Sequence, residues 1–193
     1  MKKLILATTI VLASLSAQAS NFTVDAKSNS SSGGLGLDTI SLTAGQSFSV
    51  VAAASDLWSA GDLPRYSNAN GLIANTFATG SDESGKAAGT LIGQNWGSST
   101  QNGFTAAYGQ LVGQIGSQYF ALGTNTGGVA TSAGTLKLFF WDTNPSDNAG
   151  SILVNVTANA NVAAVPEPET YAMLLVGLGL VGAIARRRKQ SNS

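Results

Sequence analysis

Apolar and polar positions alternate in short runs through residues 20–160, and no window there carries a sustained apolar stripe at the 3.6-residue helical period. The runs at 22–26, 38–42, 48–53, 90–96, 110–115, 118–122, 135–141 and 151–157 are each bounded by turn-forming residues, and each predicts a strand. Ile40, Leu42, Phe48 and Val50 fall on alternate positions of two such strands, joined by Thr43-Ala-Gly-Gln46. The segments Gly89-Thr-Leu-Ile-Gly-Gln and Gly109-Gln-Leu-Val-Gly-Gln echo one another, too briefly for a solenoid, and read as two similar strands. Together the runs predict an all-β fold, a jelly-roll-like β-sandwich over residues 20–160. The stretch Ser28-Asn-Ser-Ser-Ser-Gly-Gly-Leu-Gly36 reads as a flexible linker or wide loop.

The two ends break this pattern. Lys2 and Lys3, an apolar stretch from Leu4 to about Leu15, and Ala17-Gln-Ala19 have the form of a signal peptide (1–19) cut after Ala19 by signal peptidase. At the other end, residues 161–170 form a linker, and 171–185 form an uncharged apolar run. Helical, that run measures roughly 22 Å. Because a hydrocarbon core is about 30 Å thick, the segment is expected to serve as a transmembrane helix only with help from its flanks. Arg186, Arg187, Arg188 and Lys189 are the expected membrane anchor, in a basic cytoplasmic tail (186–193) under the positive-inside rule.

Charge and composition then remove whole classes of function. Of the ten basic residues, six sit at the ends, so the region between residues 20 and 165 carries eight acids against four cations and is net negative. A surface that tracks nucleic-acid phosphates needs clustered Lys and Arg, and none is present there. The chain has no Cys and no His, which excludes disulfides, thiol chemistry, imidazole catalysis and most zinc sites. Two Asp carboxylates could in principle serve a glycosidase, but no motif points to an enzyme.

One segment has the composition of a binding loop. Trp141-Asp-Thr-Asn-Pro-Ser-Asp-Asn-Ala-Gly-Ser151 lies between two predicted strands and offers two carboxylates, two amides, hydroxyls and carbonyls to a hard cation such as Ca²⁺. The same composition also makes a polar hairpin loop in which Asp and Asn cap their own backbone. Of the three tryptophans, Trp96 and Trp141 are expected in the core, and Trp58, in a polar segment, at the surface.

Two families come into view. Val165-Pro-Glu-Pro-Glu-Thr170, followed by a glycine-containing apolar helix and an Arg cluster, resembles the PEP-CTERM sorting signal, with Pro166, Glu167 and Pro168 as the motif. The resemblance implies a chain exported across the inner membrane, held there transiently, and processed by exosortase for the cell surface or the extracellular space. Such proteins tend to accompany exopolysaccharide and biofilm production. Pro166 and Pro168 are expected to keep the motif extended.

The body resembles bacterial calcium-dependent galactose-binding lectins. The likeness is carried by Tyr108-Gly-Gln-Leu-Val-Gly-Gln-Ile-Gly116, the strand at 136–140, Asp142, Asp147-Asn-Ala-Gly-Ser151, and upstream by 51–58 and Asn70-Gly-Leu72. It implies a galactose-binding-like sandwich in which Asp142, Asp147, Asn148 and a backbone carbonyl near Trp58 hold Ca²⁺, and Asn70 contacts sugar. Two positions depart from that family: Asp147 replaces an amide in a loop two residues shorter, and Ser67 stands where the family has a sugar-contacting histidine. The leading expectation is a surface or matrix protein that binds carbohydrate through Ca²⁺; the alternative is a purely structural biofilm protein with no small ligand.

Overall fold

The computed structural model describes residues 17–159 and 168–190. Among them lie strands β1 (Gln18–Asp25), β2 (Leu37–Leu42), β3 (Ser47–Ala52), β4 (Trp58–Ser59), β5 (Tyr66–Ser67), β6 (Thr76–Phe77), β7 (Leu91–Gly93), β8 (Ser98–Gln101), β9 (Phe104–Ala107), β10 (Gln110–Ile115), β11 (Gln118–Ala121), β12 (Asn125–Val129), β13 (Gly134–Trp141) and β14 (Ser151–Ala158), and helix α1 (Pro168–Gln190). The chain divides into two compact units, Met1–Asn161 and Val162–Ser193.

The first unit is an all-β sandwich of two four-stranded sheets, ordered β1-β14-β3-β12 and β11-β10-β13-β2, with antiparallel pairing throughout. The alternation of β14 places Ile152, Val154, Val156 and Ala158 inward. They belong to one buried core with Val50 and Ala52 of β3 and with Leu136, Leu138 and Phe140 of β13. The link from β2 to β3 crosses between the sheets, since β2 pairs with β13 and β3 with β14. Gln46 Oε1 accepts from the Thr43 N–H at 2.9 Å to close that turn.

Strand β13 reads Leu-Lys-Leu-Phe-Phe-Trp because its second half is buried on both faces. The β8–β9 hairpin covers the outer face, where Val112, Phe139, Trp141 and Ala106 form a second cluster with Phe104 and Tyr119. Its Asn102-Gly103 turn, with both residues at positive φ (52° and 78°), is a strong hairpin signal. The sequence pattern placed no strands at β8, β9 or β12. Strand β12 contains Gly127-Gly128, which have little β-propensity, and is held by register pairing to β3.

The stretch at 28–36 is an ordered part of the fold and does not act as a linker. Ser30 is fully buried, the Ser31 N–H donates to the Phe140 carbonyl at 2.8 Å, and the Phe140 N–H donates to the Asn29 carbonyl at 3.0 Å. A Cβ on Gly34 would stand 2.4 Å from the Ser30 carbonyl, so this close approach of backbone to backbone requires glycine.

Helix α1 starts at Pro168, so residues 168–170 of the motif are helical where they were expected extended: proline at the first helical position forfeits only an N–H that has no intrahelical partner. Pro166, Glu167 and most of the predicted signal peptide lie outside the described residues. The helix runs beyond the apolar segment into Arg186–Lys189, where cations meet the negative end of its dipole. Among the described residues no helix is long and apolar enough to cross a membrane. The apolar run expected at 171–185 lies within this helix, and charge at Arg186 ends the run while the helix continues. Its described apolar side chains, such as Met173 and Leu175, are exposed.

Candidate functional site

The site forms where β13 ends. Trp141 closes that strand fully buried, its indole N–H donating to the Ser99 carbonyl at 3.0 Å. The next residue, Asp142, is only 4 % exposed. Its backbone is pinned from two distant elements: its N–H donates to Ser31 Oγ at 3.1 Å, and its carbonyl accepts from Gln101 Nε2 at 3.2 Å. The loop at 28–36, which the sequence left open as a linker or a wide loop, therefore helps to position the central carboxylate. Burial pushes the Asp142 carboxyl above its ordinary pKa, and the nearby charge of Asp147 adds to this, against N–H donors from Asn144 and Thr143 and a contact with Asn148.

From Asp142 the chain turns through residues 143–150. Asp142 Oδ2 accepts from the Asn144 N–H at 3.0 Å, and Asn144 Oδ1 accepts from the Ser146 hydroxyl at 2.7 Å. Asp147 Oδ2 pairs with Arg65 Nη1 at 3.0 Å. Asn148 is buried; its Nδ2 donates to the Ala26 carbonyl at 3.1 Å, and its Oδ1 is buried with no hydrogen-bond partner. The loop is then clamped to β4, because Ser59 and Ala149 exchange backbone bonds at 2.8 and 3.0 Å. Gly150, at φ +85°, lies where a Cβ would come within 3.3 Å of Trp58 Cα.

A cavity of about 350 Å³ opens beside this loop, lined by Asp142, Thr143, Asn144 and Asp147 on one side and by Arg65, Trp96 and Tyr108 among the others. The fold thus brings Asp142 and Asp147 onto one cavity, with Asn148 against Asp142 and the backbone at Trp58 against the loop's end. The Trp58 side chain is fully buried, meeting Phe140 edge-on at a centroid distance of 4.6 Å and donating to the Gly109 carbonyl at 2.9 Å. Its expected exposure is corrected, because β4 lies over the sandwich core. Trp96, expected in the core, is 44 % exposed, with its indole N–H on the Pro64 carbonyl at 3.3 Å.

Asn70 does not line the cavity. Its Oδ1 accepts from the Thr124 N–H at 2.9 Å and the Thr124 hydroxyl at 3.3 Å, tying two loops together. Ser67 is buried, 3.5 Å from the Gly109 carbonyl it faces. Sequence reasoning passed over Arg65, Trp96 and Tyr108 as site residues. Arg65 is the lone cation in the segment 51–85, and that was the available signal. Arg186 and Arg187 are exposed on α1, a separate unit; of Arg188 and Lys189 only the helical backbone is described.

In chemical terms the loop offers two carboxylates, an amide oxygen and carbonyls. Among the described residues no three acidic side chains gather, so a cation here would be held by that mixed set. The set fits Ca²⁺, a hard ion served by carboxylate, amide and carbonyl oxygens. The buried, unpartnered Oδ1 of Asn148, on the same loop as the buried Asp142 carboxylate, is the observation that supports the fit.

Residues 164–189 match the PEP-CTERM protein-sorting motif. No curated protein matches the chain. A solved structure of the EclA N-terminal domain, a PllA-like lectin, is 24 % identical, covering 72 % of this chain and 95 % of that one with a TM-score of 0.47.

Proposed function

We propose that this chain is an exported surface or extracellular-matrix protein, processed by exosortase at the inner membrane, whose sandwich binds carbohydrate with the help of Ca²⁺. The observation that carries the binding function is a buried Asp142 carboxylate that lines a cavity together with Asp147 and an exposed tryptophan, with the orphaned Asn148 Oδ1 on the same loop. An uncompensated buried acceptor is costly in a purely structural loop and is explained by a cation that it helps to hold. Asp142, Asp147, Asn148 and backbone carbonyls near Trp58 would hold the ion, which would offer its remaining coordination positions to sugar hydroxyls. Trp96 and Tyr108 supply apolar and aromatic surface on which a sugar ring can rest. The sorting motif supports delivery to the cell surface, and exopolysaccharide is the proposed partner there.

Titration calorimetry of the intact chain with Ca²⁺, followed by a panel of galactose-type and other neutral sugars, tests this. Saturable Ca²⁺ heat and sugar binding that EDTA abolishes are expected; no heat and no Tm change at millimolar Ca²⁺ would remove the site. Mass spectrometry of the extracellular form tests the processing, with a start at Ser20 and an end within or just after Pro166–Glu169 expected.

The structural alternative, a matrix protein with no small ligand, is favoured by a different observation. Asp142 and Asn144 cap the loop backbone, accepting from the N–H groups of Asn144 and Ser146, and Asp147 already has Arg65. Unchanged stability and matrix retention in Asp142→Ala and Asp147→Ala would select it.

A further inference from the structure

We infer that the sugar taken by this cavity carries a carboxylate, and that Arg65 is the residue that reads it; the inference rests on the carbohydrate-binding function proposed above. The Arg65 guanidinium is held on one edge and one face. Its Nη1 donates to the Ala60 carbonyl at 3.1 Å and to Asp147 Oδ2 at 3.0 Å, and its Cζ lies 5.0 Å from the centroid of the Trp96 ring. The indole is itself fixed through Pro64. Among the described residues neither Nη2 nor Nε has a partner, so a planar fork of donors remains on a residue that lines the cavity.

The position of this cation is built into the backbone. Gly61 has φ +126°, and a Cβ there would come within 2.6 Å of both Arg65 Nη1 and Asp147 Oδ2. The chain leaves room at Gly61 for the ion pair, so the guanidinium is pre-organised. A planar, fixed fork matches the two oxygens of a carboxylate better than the hydroxyls of a neutral sugar. Tyr108, whose hydroxyl has no partner among the described residues, adds a donor on the same cavity.

Charge makes this selectivity conditional. Arg65 with ionised Asp142 and Asp147 leaves the cavity walls net negative, which repels a uronate. A bound divalent cation reverses the sign. Preference for the acidic sugar is therefore expressed only with the cation present.

The test is calorimetric titration of the intact chain in millimolar Ca²⁺ with galacturonic acid and with methyl galactoside, on wild type, Arg65→Gln and Arg65→Lys. Galacturonate is expected to bind at least about tenfold tighter, the gain typical of a charge-assisted bidentate pair. Arg65→Gln should bring the ratio to near one, any change in Ca²⁺ affinity through the released Asp147 being shared by both sugars, and Arg65→Lys should recover only part of it. Equal wild-type affinities, or an unchanged ratio in Arg65→Gln, overturn the inference and leave the carbohydrate-binding function standing. Binding of neither sugar overturns both. Should the variants fail to fold, wild type alone decides: galacturonate affinity should fall with added NaCl and methyl galactoside affinity should not, and parallel behaviour refutes the role of Arg65.

Discussion

Arg65 and Asp147 meet at 3.0 Å across 82 residues of sequence, each side chain about one-third exposed. Their contact places a fixed positive charge at a cavity whose other charged walls are acidic. A cation arriving at Asp147 therefore has to share that carboxylate with Arg65 or displace it.

Removal of this ion pair should separate stability from binding. Because the pair is partly exposed, Asp147→Ala is expected to cost under about 1 kcal/mol, read as a small Tm change. Ca²⁺ affinity in the same variant should fall by about tenfold or more, since one of two carboxylates is lost.

Asp142 should behave in the opposite sense in thermal melts. Its carboxyl is pushed above the ordinary 3.8, mainly by burial. Between that value and the raised one the folded protein holds more protons than the unfolded chain, so stability falls as pH rises through the window. The ionised carboxylate is then a standing cost at neutral pH without a cation. Asp142→Asn should raise the Tm at pH 7 in EDTA, flatten this part of the pH profile, and abolish stabilisation by Ca²⁺. A lower Tm in EDTA would show that the carboxylate is stabilising as it stands.

Asn148 separates its two ends. Asn148→Ala leaves the Ala26 carbonyl without its donor and is expected to cost about 1–3 kcal/mol in denaturant unfolding. Asn148→Asp should cost more in EDTA, by adding a third carboxylate, and recover much of that loss on adding Ca²⁺. Equal stability with and without Ca²⁺ would place no ion beside this residue.

Gly61→Ala tests the backbone that shapes the ion pair. At φ +126°, with Arg65 and Asp147 in the way of a Cβ, the substitution is expected to destabilise by more than about 1 kcal/mol. Ca²⁺ affinity should change as well, because Asp147 must move. A neutral Tm and unaltered binding would mean that the loop relaxes freely.

Core packing supplies the control. Phe140 is fully buried against Trp58. Phe140→Ala should cost about 3–5 kcal/mol, measured by urea unfolding, and should weaken binding only through loss of the folded state.

The strands that carry the sandwich were legible because alternation at period two reports which face of a strand is wet. In β14, Ile152, Val154 and Val156 are buried, whereas Leu153 is exposed. The loop at Asp142–Gly150 was legible from its oxygen-rich composition, and the C-terminal segment from its motif. Strand β12 was not legible, because its pairing comes from β3 and not from its own glycines. Trp141 is in the core as expected, but the other two tryptophans were assigned the wrong way round: Trp58 lies in a polar segment yet packs on Phe140, and Trp96 lies beside a strand yet faces the cavity.

By itself, then, the sequence determined an all-β body, an acidic loop after β13 and a sorting tail, since each is written in local residue order. Only the tertiary structure decided that Ser31 and Gln101 pin Asp142, that Arg65 meets Asp147, and that Trp96 backs Arg65. Those contacts join segments far apart in the chain, and no local periodicity encodes them. They arise when the two sheets bury their inner faces and carry the connecting loops to one end.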